Sequence, residues 1–514
     1  MQPGIEPRDG RLSVLAKGSG CSNTQRKVAC MRRVSSLGAC VVLAALFLSP
    51  GPLLAQPPQI VVGADDPQID VPAVQAAVDR GGKILLRGTF DFGTDAGNHI
   101  IVPGRAYPAQ DLKGRSTIFI AQHDVTIMGE TGSHGELLTV VKNGMPPFWV
   151  GWDGEVFRTA PVGTDDVGTE TFPQDTDGRV AYRDGAVDEG YLGPQTRFAR
   201  GYPNVSATIK HICFDSPGHY GVKATAGRDV VVIGNIFRNV QFGGLVNLSG
   251  FYGPGTSAGA TKLAVAAGGV SLFYPPFLAP AISGELRIEQ NLADDVGTQG
   301  TPTHFGETFG FLALMTSARV NIQANRVRNV GRQTDGSFAD VILAGGILVG
   351  DNSAAAPLIA GNVIENSLLY GIWDAAFVSL TPAARIERNS VTDSGFIGIA
   401  VESYVGPREG GLVSANFLAQ DARQWPGVSL IGALALDGCA IGSNTLAGDV
   451  PLVGVALQGA TGCAVVANKD KRETVSLASP TYFLDQWSSG NLVKAATGTV
   501  VDYGTNNTVL IAKQ

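Results

Sequence analysis

The sequence predicts an all-β fold built from repeated coils of short strands, and three observations support this. The stretch "IAGNVIENSLLYGIWDAAF", residues 359–377, places an Asn between two short apolar pieces, then a Gly, then an apolar strand. It contains no run of apolar residues at helical spacing, and similar stretches follow one another through the second half of the chain. The composition, with 67 Gly, 28 Pro, 44% hydrophobic and 16% charged residues, favours turns and a large core over disorder.

The repeat is anchored on an Asn that precedes an apolar pair. It occurs at Asn235, Asn291, Asn325, Asn362, Asn389, Asn416, Asn444, Asn468 and Asn491. From Asn362 onward the spacings are 27, 27, 28, 24 and 23 residues, which is the size of one solenoid coil. Asn tolerates the left-handed backbone of a tight corner. Stacked coils would place these amides about 4.8 Å apart, so the sequence predicts an Asn ladder.

The N-terminus has the pattern of a secretory signal peptide. A basic start at 31–33 precedes a short apolar core at 37–48, and a small residue, Ala55, offers a cleavage site before Gln56. Residues 1–30 fit nothing that follows, so we expect them to lie upstream of the true start. The apolar core is too short to span a bilayer. We therefore expect a secreted, periplasmic or cell-surface protein with no transmembrane segment in the mature chain.

The mature chain, residues 56–514, is predicted to be one solenoid domain. Apolar residues at turn spacing predict a short helix over 71–80, which would cap the N-terminal end of the solenoid. Two segments depart from the repeat, about 131–205 and 248–282, and are interpreted as long loop insertions.

Charge and cysteine content exclude several classes of function. The mature chain has 31 Lys and Arg against 43 Asp and Glu, a net charge of −12. Such a surface argues against nucleic acid and anionic membranes as partners. The remaining cysteines, Cys213, Cys439 and Cys463, have no metal-binding spacing and no disulfide pattern, so we interpret Cys439 and Cys463 as core residues.

Three segments together resemble a known superfamily. They are "AVQAAVDRGGKILLRGTF" near the N-terminus, the strand "VTIMGE", and the Asn-anchored coils. Over roughly residues 60–510 the chain resembles the pectate-lyase-like superfamily of right-handed parallel β-helix proteins. The resemblance implies a single-stranded right-handed parallel β-helix, with a substrate groove on the outer face of the Gly-opened strands. It implies no single activity, because this fold hosts lyases, hydrolases, epimerases, adhesins and inert surface proteins.

Candidate site residues cluster on the Gly-opened strands between residues 351 and 404. Strand alternation turns Trp373 and Glu402 outward, and acidic residues gather where these strands end. Asp374 and Glu402 should lie one coil, about 5 Å, apart, as in a retaining glycosidase, and Asp351 and Glu402 two coils, about 10 Å, apart. Trp373 and Tyr404 are the candidate sugar contacts. Alternatively, the 403–411 loop covers Trp373 and the acids are ordinary solvated charges.

Metal and base chemistry remain open alternatives on the same strands. Carboxylates on adjacent coils could hold Ca²⁺, which would bind an acidic sugar. A lyase would need a base, for which His219, Tyr220, Lys223, His304 and Glu307 are candidates. Motifs of the polygalacturonase, pectate lyase and alginate epimerase branches are missing.

We therefore expect a secreted β-helix protein that acts on or binds polysaccharide, as an uronan lyase or a glycoside hydrolase. The alternative is a non-catalytic surface β-helix that binds glycan or a protein partner. The sequence leaves the oligomeric state open.

Overall fold

The computed structural model describes residues 57–511 with internal gaps. The gaps are 94–99, 103–104, 107–116, 145, 159–179, 185–196, 203, 218–220, 225, 241–250, 253–281, 298–306, 315, 317, 332–342, 352–354, 378–379, 421–428, 450–451, 474 and 496–497. The predicted signal peptide, residues 31–55, and the upstream residues 1–30 lie outside the described residues.

The coils of the described chain form three parallel faces. The first sheet runs from Gln59–Val62 to Thr508–Ile511, the second runs from Thr89–Asp91 to Lys469–Asp470, and the third is described in two separate sections. The first sheet contains Gln59–Val62, Gly82–Arg87, Val125–Gly129, Ala207–Lys210, Gly227–Ile233, Ile282–Glu289, Arg319–Gln323, Leu358–Ala360, Ala383–Glu387, Arg408–Ser414, Leu436–Asp437, Ala440–Gly442, Ala464–Val466, Leu492–Ala495 and Thr508–Ile511. The second contains Thr89–Asp91, Val140–Lys142, Cys213–Asp215, Ile236–Val240, Leu292–Val296, Arg326–Val330, Val363–Ser367, Ser390–Ser394, Phe417–Ala419, Thr445–Ala447 and Lys469–Asp470.

The third sheet has two described sections. The N-terminal section contains Ile118–Ile120, Phe148–Val150 and Val222–Ala224. The longer section contains Glu307–Leu314, Leu343–Gly350, Tyr370–Ala376, Ile397–Ser403, Ser429–Leu434, Val453–Gln458, Tyr482–Leu484 and Val500–Asp502. Side chains from all three sheets fill one continuous apolar core inside the coils. The predicted fold, a right-handed parallel β-helix, is confirmed.

The capping helix spans Pro67–Arg80 and begins four residues earlier than the apolar pattern predicts. The reason is its N-terminal chemistry: Asp66 caps the helix by accepting from the Gln68 N–H at 2.9 Å, and Pro67 fits the first turn. Asp70 is buried and accepts backbone N–H groups from Ala64, Asp66 and Asp91, which ties the helix to the first coil. The predicted capping helix is therefore present.

The Asn ladder is confirmed from Asn235 to Asn468. Along this ladder each Asn side-chain N–H₂ donates to the Oδ1 of the next Asn at 2.9–3.1 Å. The other N–H of each Nδ2 group donates to a backbone carbonyl, as Asn389 Nδ2 does to Ile359 O at 3.0 Å. All eight side chains are buried, and the ladder provides the hydrogen bonds that these buried amides require.

The expected left-handed backbone lies one residue earlier than predicted. Positive φ angles occur at the residue preceding the ladder Asn, for example 53° at Ala324, 54° at Arg388 and 56° at Ala415. The ladder Asn is therefore selected for its amide, and the left-handed residue before it turns that amide toward the core wall. A second left-handed residue lies inside the second-sheet strands, one residue before the strand ends, with φ of 55° at Asn329 and 64° at Asn366.

Asn491 is not a member of the ladder, which corrects its place in the alignment. It precedes a strand of the first sheet, Leu492–Ala495, whereas the ladder Asn precede strands of the second. Asn491 lies in a row with Cys439, Cys463 and Asn507. Cys439 and Cys463 are buried in the core, as expected, but they form a disulfide between neighbouring coils, so the expectation that they do not pair is wrong. The sequence spacing does not indicate this disulfide, because the two cysteines are 24 residues apart and meet only when neighbouring coils stack.

The predicted insertions differ from the structure in their bounds. Val140–Lys142 and Phe148–Val150 belong to the second and third sheets, so the departure from the repeat begins after Val150 rather than at 131. Beyond the coils, Trp152–Arg158, Arg197–Gly201, Val180–Asp184 and Phe251–Tyr252 form an antiparallel sheet. Ile100–Val102 and Arg105–Ala106 form an antiparallel pair. In the described part of the chain no helix has the length and apolar character needed to cross a bilayer.

Candidate functional site

The candidate site lies on the outer face of the third sheet, where Tyr370–Ala376 pairs with Ile397–Ser403. The register places Trp373 beside Ala400 and Ala375 beside Glu402, so Trp373 and Glu402 share the outward face. Asp374 pairs with Val401 and faces the interior. Strand alternation therefore predicts the outward residues correctly, but Asp374 and Glu402 lie on opposite faces of the sheet. The predicted retaining-type carboxylate pair is not formed.

Trp373 faces outward but is not exposed to solvent, which corrects the expectation of an open sugar platform. Only 3% of its surface is accessible. Its ring stacks on Tyr370 with centroids 4.4 Å apart and meets Phe377 edge-on at 5.3 Å. These residues belong to an apolar cluster on the outer face that also includes Phe309 and Leu348. Trp373 is therefore a packing residue in a second small core outside the coil.

Glu402 and Tyr404 form the polar centre of this cluster. The Trp373 Nε1–H donates to Glu402 Oε2 at 2.7 Å, and the Tyr404 hydroxyl donates to the same oxygen at 2.5 Å. Glu402 is only 7% exposed, whereas Tyr404 is 49% exposed. The Tyr404 ring stacks parallel to Phe377 with centroids 5.7 Å apart. The site thus presents one half-open aromatic ring whose hydroxyl is fixed by a buried carboxyl group.

Burial shifts the ionisation of the site's acidic groups. Desolvation raises the pKa of Glu402, while the hydrogen bonds from Tyr404 and Trp373 act in the opposite direction. Burial, together with the nearby Glu402 charge, raises the pKa of both Tyr370 and Tyr404, so their phenols stay protonated at neutral pH. The tyrosines can donate hydrogen bonds but are poor bases.

Asp374 is fully buried in an ion pair, which removes it from the set of surface acids. Its Oδ1 accepts from Arg408 Nη2 at 3.0 Å, and its Oδ2 accepts from the Ala384 N–H at 2.6 Å. Burial raises the pKa of the Asp374 carboxyl, and the Arg408 guanidinium acts against this. Arg408 also donates to the carbonyls of Thr381 and Pro382. The predicted catalytic role of Asp374 is replaced by a structural one.

Asp351 is also engaged within the fold. Both carboxylate oxygens lie 3.2–3.3 Å from the Phe377 N–H, and the residue is buried. Asp351 directly follows the strand Leu343–Gly350 and has a left-handed backbone, with φ of 49°. Asp351 thus fixes the backbone that carries Phe377. It remains a candidate only through its proximity to the cluster.

The residues that sequence reasoning missed are Tyr370, Phe377 and Arg408. Tyr370 precedes the Gly that opens the strand, and Phe377 follows the strand's end, so neither lies within the alternating pattern. Both are aromatic and lie within four residues of Trp373, and this local concentration of aromatic residues could have indicated that Trp373 is covered. Arg408 begins a strand of the next sheet, and nothing local predicts that it returns to Asp374.

Among the other candidate bases, Lys223 is the one whose side chain is described, and it lies apart from this site. Lys223 is buried with its Nζ 4.1 Å from the Trp149 ring centroid, in the separate N-terminal section of the third sheet. His219, Tyr220 and His304 lie outside the described residues, as does the side chain of Glu307. Within the described ranges no group of three or more His, Cys, Asp or Glu side chains is placed to hold a metal ion. The Ca²⁺ site stays a prediction.

Comparisons with known proteins identify remote structural likenesses. No family model and no curated protein matches the chain. The A-module of the Azotobacter vinelandii mannuronan C-5 epimerase AlgE6 is 12% identical, with a TM-score of 0.31 over 86% of this chain and 91% of that one. PfbA, a surface adhesin of Streptococcus pneumoniae, is 12% identical, with a TM-score of 0.31 over 87% of this chain and 90% of that one.

By fold, the chain is a right-handed parallel β-helix repeat protein. This conclusion rests on its strand pairing and its Asn ladder. At such TM-scores neither solved structure carries an argument about what this chain does.

Proposed function

We propose that this chain is an exported β-helix protein that binds polysaccharide through the outer face of its third sheet, with Tyr404 as the main contact. The observation that carries the proposal is the half-exposed Tyr404 ring, held by stacking on Phe377 and by its hydrogen bond to Glu402. A sugar ring stacks its C–H face on such an aromatic surface. Because the ring is already fixed, binding loses little side-chain entropy.

Binding fits the geometry better than catalysis does. A retaining hydrolase needs two carboxyl groups about 5–5.5 Å apart on one side of the sugar. Here Asp374 faces the interior. A lyase needs a base, and the phenol of Tyr404 has a raised pKa. The feature that favours catalysis is Glu402, because a buried carboxyl with a raised pKa suits a general acid. Hydrolysis is thus the second candidate function.

Export is supported by two independent observations. The segment 31–55 has the pattern of a cleaved signal peptide. The disulfide between Cys439 and Cys463 is typical of proteins that fold in an oxidising compartment. Both suit a protein that meets polysaccharide in the periplasm, at the cell surface or outside the cell.

The proposal is tested by binding measurements on the mature protein from Gln56. A panel of neutral, acidic and amino polysaccharides is screened, and the affinity for any ligand is measured by calorimetry for Tyr404→Ala and Tyr503→Ala. Tyr503 is a matched control because it is an exposed tyrosine (67%) near the C-terminal end of the coil stack. We expect Tyr404→Ala to lose at least about tenfold in affinity, roughly 1.4 kcal/mol, and Tyr503→Ala to lose little.

Equal affinities for the two variants would contradict the assignment of Tyr404. The same incubations are followed for new reducing ends and for unsaturated uronate products. Reducing ends that disappear with Glu402→Gln would establish hydrolysis instead of binding alone.

A further inference from the structure

We propose that the ligand of this site carries a positively charged amino group, as glucosamine polymers do, and that Glu402 is its counter-ion. This inference rests on the proposed function and names its ligand class. Three features of the cluster support it: among the described residues Glu402 has no cationic partner and its Oε1 accepts no hydrogen bond, and aromatic rings surround the carboxyl group.

Glu402 has no ion-pair partner among the described residues. The nearest guanidinium is that of Arg408, whose side chain is directed to Asp374 and to the carbonyls of Thr381 and Pro382. Its contact with Glu402 is a long one, 3.5 Å, to the backbone carbonyl. Buried acidic side chains are normally paired. The sheet therefore neutralises Asp374 from inside and leaves the negative charge of Glu402 without a partner in the described structure.

The hydrogen bonds to Glu402 converge on one oxygen. Oε2 accepts from both Trp373 and Tyr404, whereas Oε1 accepts from no donor in the described part of the chain. Buried carboxylate oxygens usually have a partner from the protein or from a ligand. Oε1 is therefore the atom available to a donor arriving from outside, beside the exposed face of Tyr404.

The rings around Glu402 favour a cation over a neutral donor. Tyr370, Trp373, Phe377 and Tyr404 form an unbroken series of stacked and edge-on contacts. The faces of aromatic rings attract an ammonium group, and the attraction grows when the site is desolvated. A sugar hydroxyl could reach Oε1, but only an amino group gains from both the carboxylate and the rings.

An organic ammonium fits this site better than a metal ion does. Ca²⁺ requires six to eight oxygen ligands. Where the chain is described, no cluster of three or more acidic or metal-binding side chains is assembled. A single carboxylate beside hydrocarbon and aromatic surface is suited to a group that brings its own three N–H donors.

The inference predicts a pH dependence with a definite sign. Burial raises the pKa of Glu402, and an ammonium group binds its ionised form. Affinity should therefore increase as the pH rises through that raised pKa, and fall again when the ligand amine loses its proton. The other ionisable groups packed here are Tyr370 and Tyr404, which stay neutral, Asp351 at the Phe377 N–H, and the Asp374–Arg408 pair beneath the strand.

The test compares oligomers of β-1,4-linked glucosamine with N-acetylated oligomers of the same length, by calorimetry on the mature protein. We expect at least tenfold tighter binding of the free amine, lost in Glu402→Gln and kept in Glu409→Gln. Glu409 is a matched control because it is an exposed carboxylate seven residues away. A second measurement on the unaltered protein compares buffers of different ionisation enthalpy, and proton release on binding is expected at pH values below the raised pKa of Glu402.

Equal binding of the two oligomers, or a preference that survives Glu402→Gln in a folded variant, would overturn the inference. If neither oligomer binds but another glycan binds through Tyr404, the inference fails and the proposed function stands. Silence on every glycan would contradict both.

Discussion

Arg408 determines which of two neighbouring carboxyl groups is neutralised. Asp374 and Glu402 lie on adjacent strands, and the backbone carbonyl of Glu402 is within 3.5 Å of the same guanidinium. The side chain of Arg408 runs to the inner face of the sheet and is 1% exposed. The buried pair stabilises the inner face, and Glu402 on the outer face keeps a charge that only a ligand or a proton can compensate.

Replacing Arg408 by Met should destabilise the protein by about 3–5 kcal/mol, because it leaves Asp374 buried without a partner. Adding Asp374→Asn should recover a large part of this loss. Unfolding in urea, followed by circular dichroism, measures both. The control is Arg87→Met, which removes a solvent-exposed pair with Glu130 and should cost less than about 1 kcal/mol. Similar losses in the two single variants would show that the Asp374 pair contributes no more than a surface pair.

The Asn ladder supplies hydrogen bonds between coils at the corners, where there is no strand pairing. From Asn291 to Asn444, each ladder Asn donates its Nδ2–H to the next coil and accepts both a backbone N–H and a side-chain N–H from the previous coil, as Asn389 does. The corner backbone, which has no strand partner, is satisfied in this way. The ladder therefore continues the hydrogen bonding of the sheets around the turn.

Asn389→Ala should cost about 2–4 kcal/mol, because it leaves the buried N–H groups of Asn362 unpaired. A matched control is Asn321→Ala. The Asn321 amide lies on the outer side and donates to Glu285, so its loss should cost under about 1 kcal/mol. Thermal unfolding of the two variants gives the comparison. A ladder variant as stable as the control would show that the corner amides find other partners.

At this scale, sequence patterns predicted strand faces better than corners. Alternation after Gly371 and Gly398 placed Trp373 and Glu402 on the outward face, as observed. The sequence pattern assigns the left-handed backbone to the ladder Asn, because Asn tolerates it better than residues such as Ala324 or Arg388, which adopt it in the structure. Asn491 was misplaced because its local sequence matches the motif, while only strand pairing tells the two corners apart.

In the whole molecule, each coil contacts the coils above and below, and two kinds of link hold the C-terminal coils together. The ladder row ends at Asn468, and the row of Cys439, Cys463, Asn491 and Asn507 lies at the neighbouring corner. In that row a disulfide links two coils, whereas in the ladder a hydrogen bond between Asn side chains does so. Stability in such an array is the sum of local coil terms and interfaces between neighbours.

Replacing Cys439 and Cys463 together by Ser should lower stability by about 3 kcal/mol, the loop-closure effect expected for a 24-residue separation. The loss should be confined to the C-terminal coils, since distant coils share no contacts with them. Hydrogen exchange read by mass spectrometry, with and without a reductant, tests this. Protection lost uniformly from the first to the last coil would contradict the local effect.

The sequence predicts the architecture of the whole molecule well because the same coil pattern occurs many times along the chain. The residues of the candidate site occur in one place only, so no repetition helps to predict their contacts. Trp373 is covered by Phe309 and Leu348 from the preceding coils as well as by Tyr370 and Phe377 of its own stretch, and the partner of Asp374 comes from a strand of another sheet. Burial at the site is therefore set by contacts between coils, which no single stretch of sequence reveals.

The unbroken first sheet, with Gln59–Val62 at one edge and Thr508–Ile511 at the other, also determines how the molecule responds to mechanical force. Tension between the two ends loads the bonds between coils one row at a time, as in peeling. Each coil that detaches lengthens the chain by about 90 Å if some 27 residues become extended. The disulfide carries the tension directly from Cys439 to Cys463, so a stretched chain would lengthen in steps but the residues between these two cysteines would not extend.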